Sequence, residues 1–410
     1  MKCAANKKNN KTSTKLALYG GTPARRKGKF LVFGAPLIEK SEINRVVACL
    51  KSRWIGTGPL AHQFEEDFAA YKGKRFAVAV NSCTAALHLS LLASGVGPGD
   101  EVITTTMTFC ATVNAIIHSG ATPVLVDCDL PSMNISPSLI EEKITAKTKA
   151  ILVVHFAGRC CDMDPIRRIA KRYNLMIIED CAHAIESEYR GEKSGSFGDI
   201  GCFSFYVTKN IITGEGGMIV TDDERIASTV KVLGLHGMSK DAWKRFSDEG
   251  YKHYDVVFAG FKYNMPDITA AIGVEQLKRI EPYWEKRRDI WDTYNRSFAD
   301  LACTVPAPVE EETRHAYHLY TPLIDIDRLG RSRDWVLNAL TAENIGTGVH
   351  YIPIHRHPYY RKTYGWKEGE FPNAERIGDR TISLPLSPAL SPTDVEDVIR
   401  AFRKVMSEAN

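Results

Sequence analysis

Cys202-Phe-Ser-Phe-Tyr-Val-Thr-Lys209-Asn-Ile-Ile-Thr-Gly214-Glu-Gly-Gly-Met218 decides how this chain is read. It opens as strand, with Cys202, Phe203 and Phe205 apolar or aromatic and Ser204 among them. The pattern then stops. A single cation, Lys209, stands in an otherwise uncharged run from Cys202 to Gly214. Gly214-Glu215-Gly216-Gly217 lets the backbone turn tightly and approach a ligand closely. Strand residues resume at Met218–Thr221. A lysine between a buried strand and a glycine turn is expected to be partly desolvated. Desolvation lowers its pKa and favours the neutral amine, the form that attacks carbonyls. An isolated lysine in such a place can also simply snorkel to the surface. What lies upstream separates the two readings.

Upstream, short apolar runs alternate with helical patterns. Phe76–Val80 predicts a strand buried on both faces. Asn81-Ser82-Cys83-Thr84 breaks it, and Ala85–Ala93 is a strong helix. The helix points its free N–H groups and positive dipole end at whatever sits above the strand, as a phosphate site does. Ser82 or Thr84 can equally be a plain helix N-cap. Strand expectations follow at 99–103, 122–126, 150–154 and 175–178, the last closed by Glu179-Asp180. Helices are expected at 42–50, 60–71, 109–118, 138–144 and 164–173. This alternation predicts an α/β fold with a mainly parallel sheet covered on both faces. Ligands of such sheets bind beyond the carboxyl ends of the strands. Thr84, Phe109, Asp180 and Lys209 all fall at or just past such an end.

Downstream, 277–296 reads as one long helix with Trp284, Ile290 and Trp291 on its apolar positions. It is expected to bridge to a smaller C-terminal domain. There 317–326 and 348–352 read as strands, and 334–342 and 393–406 as helices. The domain expectation is therefore a basic disordered tail over 1–14, a large domain over 15–275, and the bridging helix with a small domain over 276–410.

Composition narrows the class. The chain of 410 residues is 44% apolar and carries a net charge of +4. That charge is uneven: residues 1–31 hold nine Lys or Arg and no acid, so the rest is net acidic. The tail lacks the apolar core of a signal peptide. It also lacks the aromatic interleaving of a nucleic-acid surface, and no nucleic-acid partner is expected. No apolar run reaches the roughly 20 residues of a membrane span. Ten scattered cysteines without paired spacing fit a reducing, cytoplasmic setting rather than disulfides or zinc. His355 and His357 have no ligating partner near them in sequence, so no metal is expected.

Over one cleft, these residues suit one cofactor. A helix N-terminus (Cys83, Thr84) with a hydroxyl (Ser204) can hold a phosphate, and Phe109 can stack on a flat ring. Asp180 can hydrogen-bond a ring nitrogen and keep it protonated, while Lys209 can form a Schiff base. The set matches pyridoxal phosphate.

The same residues carry a family resemblance. CFSFYVTKNIITGEGGM, with IIEDCAHA and NSCTAALHLSLL before it and YNMPDITAAIGVEQL after it, resembles the DegT/StrS-type aminotransferases. The resemblance runs from about Leu16 to the final helix. It implies a fold-type I pyridoxal-phosphate-dependent transferase: a large domain with a mainly parallel seven-stranded sheet, and a smaller C-terminal α+β domain. By resemblance Lys209 is the Schiff-base lysine and Asp180 the partner of the pyridine nitrogen. His183 takes the place that contacts the cofactor's hydroxyl side. Phe109 stacks on the ring. Cys83, Thr84 and Ser204 hold the phosphate, with Cys83 replacing a commoner glycine. Asn264 reaches the phosphate of a neighbouring subunit, which implies a homodimer with composite sites. The activity implied is transfer of an amino group, from L-glutamate, to a keto-sugar linked to a nucleotide. A cyclic non-nucleotide ketone is the alternative acceptor, and a non-enzymatic pyridoxal-phosphate-binding regulator the alternative role. The dehydratase relatives carry histidine where Lys209 stands, which argues against that chemistry. No G-x-G-x-x-G follows a strand, which disfavours a nicotinamide oxidoreductase.

Overall fold

A computed structural model describes residues 15–26, 28–239 and 254–407. The basic stretch 1–14 lies outside them. The centre is a seven-stranded sheet built from β1 (Phe76–Val80), β2 (Glu101–Thr105), β3 (Thr122–Val126), β4 (Thr148–Val154), β5 (Met176–Asp180), β8 (Ile200–Ser204) and β9 (Gly217–Thr221). Two-residue strands β6 (Glu188–Tyr189) and β7 (Glu192–Lys193) form a small hairpin between β5 and β8. The order is β1-β9-β8-β5-β4-β2-β3. Every neighbouring pair from β8 to β3 is parallel, and β9 runs antiparallel to both β8 and β1. β1 is thus an edge strand, although four of its five residues are buried. Among the described residues helices pack over it, and its outer edge carries a single bridge, Val80 to Asn264.

Side-chain alternation explains how both faces are covered. Val78, Val80, Leu152, Ile178 and Ile219 point to one face, against α3 (Cys83–Ala93) and α6 (Glu224–Leu233). Ala77, Ala79, Met218 and Val220 point to the other, under Phe64 and Phe68 of α2 (Pro59–Lys72) and the helix α7 (Asp267–Leu277). Further along that face, Ile103, Ile151 and Ile177 pack on α5 (Met163–Tyr173). The helices α1 (Lys40–Ser52) and α4 (Cys110–His118) complete this part. No helix among the described residues is long and apolar enough to cross a membrane.

α8 (Ile280–Phe298) leads into the C-terminal region. There α9 (Ile326–Leu329), α10 (Arg333–Ala342), α11 (Pro358–Tyr364), α12 (Pro372–Arg380) and α13 (Pro392–Ser407) surround short strands β10 (Cys303–Thr304), β11 (Thr313–Arg314) and β12 (Leu323–Ile324). Trp291, Tyr294, Phe298, Tyr320 and Phe402 form its core. Leu16 sits in that same core, and Ala17 and Ala24 donate their N–H groups to Glu343. The N-terminal segment therefore packs on the C-terminal region, not on the large sheet.

Four element expectations are corrected. Residues 138–144 form two 3₁₀ turns, Pro137–Leu139 and Glu141–Lys143, because their N–H groups bond three residues back. The helix expected over 277–296 begins at Ile280, separate from α7, because the ring of Pro282 excludes continuation through residue 278. Of 317–326 only Leu323–Ile324 is strand. Tyr317 has φ of +49°, and His318 bonds Ala157 rather than a strand partner. Residues 348–352 form one bridge, Gly348 to Ser383, and are otherwise loop.

α8 is fastened to the large sheet by a fully buried ion pair, Arg287 with Glu186. Glu186 also accepts from Asn210 at 2.8 Å, beside Lys209. Arg287→Leu leaves Glu186 buried without its cation, and we expect it to lower unfolding free energy by about 3 kcal/mol. Urea denaturation checks this; a loss below about 1 kcal/mol would mean that Asn210 alone compensates Glu186.

Candidate active site

The carboxyl ends of β1, β2, β5 and β8 open into one cavity of about 400 Å³. Cys83, Thr84, Phe109, Asp180, His183, Ser204 and Lys209 all line it. Chain connectivity accounts for most of this. Asp180 ends β5 and Ser204 ends β8, while Cys83 starts α3 just after β1, and Phe109 is the N-cap of α4.

Ser82 settles which residue caps α3: its hydroxyl accepts the N–H of Ala85 at 3.1 Å. Thr84 is not needed as a cap. Cys83 and Thr84, the first two helical residues, have no intrahelical acceptor for their N–H groups. The helix start can lie this close to β9 because position 217 is glycine. A Cβ there would meet the Ser82 carbonyl and the Cys83 nitrogen at 2.6–2.7 Å. Gly214, at φ +89°, makes the preceding turn.

Asp180 is 5% exposed. The Thr112 hydroxyl donates to its Oδ2 at 2.8 Å, and the Ala182 N–H to its Oδ1 at 3.1 Å. Thr108 in turn donates to Thr112 at 2.7 Å. Burial pushes the Asp180 pKa up, opposed by these donors and by Lys209. Lys209 makes no side-chain hydrogen bond among the described residues, and desolvation lowers its pKa to about 8, against the pull of Cys83 and Asp180. Burial holds the Cys83 thiol well above its ordinary range, so it remains protonated. His183 is buried and neutral: its Nδ1 accepts from the Ala157 N–H at 3.2 Å, and its Nε2 lies 3.1 Å from the Tyr351 hydroxyl. Phe109 is 56% exposed, a bare aromatic face at the cavity.

Asn264 is the expected site residue that this cavity does not include. It donates to the Thr57 hydroxyl at 2.5 Å and accepts from Lys262 at 2.6 Å. With Thr57 it lines a separate cavity of about 400 Å³ beside β1 and α6.

Sequence reading missed Thr112. That residue lies one helical turn beyond the hydroxyl-rich run Thr104-Thr-Thr-Met-Thr108, inside a helix where nothing local marks it. Tyr351, another cavity residue outside the expected set, lies in the segment 348–352 that reads as strand. His355 gains the carboxylate partner that its neighbourhood in sequence lacked. Its Nε2 meets Glu375 at 2.9 Å and its Nδ1 the Thr106 hydroxyl at 3.0 Å. Arg159 and Arg314 pair with Glu310 and Glu281, away from the cavity.

His155, Glu179 and Cys181 form a buried group that could suggest a metal. Hydrogen bonds already occupy its imidazole and its carboxylate. Glu179 accepts from His155 Nε2 at 2.9 Å and from the N–H groups of Gly195 and Gly198 at 2.7 and 2.6 Å, and His155 Nδ1 accepts from Cys161. The cavity's own donor set fits pyridoxal phosphate: free N–H groups at a helix start, an exposed aromatic face, a buried carboxylate and a lysine tuned towards neutrality.

A sequence model described as the DegT/DnrJ/EryC1/StrS aminotransferase family matches residues 36–403. The chain is 48% identical to the spore coat polysaccharide biosynthesis protein SpsC of Bacillus subtilis, over 94% of this chain and 99% of that protein. It resembles Spr1654 of Streptococcus pneumoniae, described as a sugar aminotransferase. The form of Spr1654 with pyridoxal phosphate gives a TM-score of 0.85 at 34% identity, covering 93% of this chain and 100% of that one. DesI, solved in the presence of its TDP-sugar product, gives 0.83 at 31%, covering 95% and 97%. The α/β architecture is that of the fold-type I enzymes, and the chain belongs to the DegT/DnrJ/EryC1/StrS aminotransferase family.

Proposed function

We propose that this pyridoxal-phosphate-dependent aminotransferase moves an amino group from L-glutamate to a keto-sugar linked to a nucleotide. The observation that carries the reading is Lys209, tuned by burial, in one cavity with Asp180 and the start of α3. The likeness to SpsC and Spr1654 supports a sugar acceptor, and the likeness to DesI supports a nucleotide-linked one. Free, mostly buried cysteines among the described residues support a cytoplasmic setting.

When bound, pyridoxal phosphate supplies an electron sink beside the reacting carbon. The N–H groups of Cys83 and Thr84, with the Ser204 hydroxyl, bind its phosphate at the positive end of α3. Phe109 would flank the ring, and His183 would stand towards the ring's hydroxyl side. Asp180 would hold a proton on the ring nitrogen, and its buried carboxylate would gain the counter-charge that its burial calls for. Lys209 Nζ would hold the cofactor covalently, and its amine, neutral near pH 8, would serve as the base that takes up and returns a proton at Nζ.

The active unit in this reading is a homodimer. Asn264 reaches from one subunit to the cofactor phosphate of the other, and the partner covers a cleft otherwise open to water.

Three outcomes follow. First, the Lys209 amine is half neutral near pH 8, instead of near the ordinary 10.5. Cofactor uptake by the apoprotein, followed by absorbance, should accelerate up to about pH 8 and then level off. A rate still climbing towards pH 10 would remove the tuning argument. Borohydride should fix the cofactor to a peptide containing Lys209, and Lys209→Ala should bind it non-covalently and lose transamination. The wild-type pyridoxamine form, screened against nucleotide-linked keto-sugars and cyclic ketones, identifies the acceptor. Second, Asp180→Asn should keep the fold but weaken cofactor retention by about 1.5–3 kcal/mol. Wild-type retention and half-reaction rates would mean that another carboxylate serves the ring. Third, Asn264→Ala should be severely impaired alone, yet mixing it with Lys209→Ala subunits should restore activity up to one intact site per dimer. Demonstrated subunit exchange without recovery assigns Asn264 to its own chain.

A further inference from the structure

The hydrogen-bond direction between His183 and Tyr351 follows from a backbone group. A ring nitrogen that accepts carries no hydrogen, and His183 Nδ1 accepts the Ala157 N–H. The neutral ring therefore carries its single hydrogen on Nε2. A doubly protonated ring would set two N–H groups against each other at Nδ1. Burial and the nearby Lys209, His318 and His350 also disfavour the charged form. Nε2–H then donates to the Tyr351 oxygen at 3.1 Å. The phenol's own hydrogen is left for another acceptor. Among the described residues, this hydroxyl makes no other protein hydrogen bond.

The ring that carries it is held firmly. Tyr351 stacks on His183 with an interplanar angle of 19° and meets Phe156 edge-on at 6.0 Å and Phe109 at 5.8 Å. Four residues on, His355 ties the segment to Thr106 and Glu375. Tyr351 and His183 both line the cavity. A fixed O–H without a protein acceptor, inside a ligand cavity, calls for a lone-pair oxygen.

We propose that the Tyr351 hydroxyl donates to an oxygen of the bound ligand, with His183 as the positioning residue that aims it. The inference rests on the reading of this cavity as a pyridoxal phosphate site. The acceptor is a phenolate- or carbonyl-type oxygen, which the cofactor ring and the ketone substrate both offer.

Tyr351→Phe removes the O–H and keeps the ring. One arm measures the dissociation constant of pyridoxal phosphate and the absorbance maximum of the lysine-bound cofactor. The other measures the binding of a keto-sugar to the pyridoxamine form by fluorescence quenching, together with kcat and KM. Loss of one neutral hydrogen bond should weaken one of these steps by about three- to tenfold. A change confined to the first arm assigns the cofactor oxygen; a change confined to the second assigns the substrate oxygen. His183→Gln, which can still donate to Tyr351, should retain more of the affected step than His183→Leu. Equal values for Tyr351→Phe and wild type in both arms overturn the proposal, as does equal loss in the two His183 variants. Borohydride trapping on Lys209 in the wild type keeps the cofactor reading separate. If trapping fails there, that reading falls, whatever Tyr351 does.

Discussion

Two consecutive carboxylates, Glu179 and Asp180, end the same buried strand, and the difference in their solvation organises this molecule. Alternation sends them to opposite faces. Glu179 is fully buried and accepts from His155, Gly195 and Gly198, which together hold its pKa down despite burial. It is finished as a structural group. Asp180 has fewer donors, Thr112 and the Ala182 N–H, and burial outweighs them. A carboxylate left in that condition is stabilised by a cation placed in the cavity above it. The protonated nitrogen of a flat heterocycle has the right charge and shape. Lys209 is the converse case, a cation that burial drives towards neutrality.

Holding these groups together takes contacts from distant parts of the chain. Behind Lys209, Asn210 donates to Glu186 and to the Ala316 carbonyl and lies 2.9 Å from His318 Nδ1, while Arg287 of α8 closes the far side of Glu186. In front, Thr106 at the end of β2 meets His355, which meets Glu375. The Arg287–Glu186 pair and the Thr106–His355–Glu375 set are buried, so a partner lost from either would be costly. The C-terminal region is thereby tied to the strand ends that form the cavity.

This also explains an uneven legibility. Lys209, Asp180, Thr84 and Phe109 were readable because the chemistry of each is tied to a local break between strand and helix. Thr112 and Tyr351 were not readable in the same way. A threonine one turn into a helix looks like any other, and its bond to Asp180 spans 68 positions. The partner of Tyr351 is 168 positions away. Small elements failed for a related reason. Tyr317 and Gly348 lie in segments that alternate like strands, but their neighbours in space offer loop carbonyls and single bridges rather than a sheet edge.

The sequence by itself determined the periodic elements, the parallel α/β sheet and the positions where chain direction changes at strand ends. These depend on residue spacing, which acts over a few positions and survives in any arrangement of the rest. Only the tertiary structure decided which polar groups are already satisfied by protein and which still require a ligand. It gave Glu179 enough donors to offset burial and Asp180 too few, used Ser82 as the cap and released Thr84, and placed Asn264 outside the cavity that holds Lys209. Satisfaction of a hydrogen bond depends on what packs against a group in three dimensions, and burial sets the energy of each unmet one.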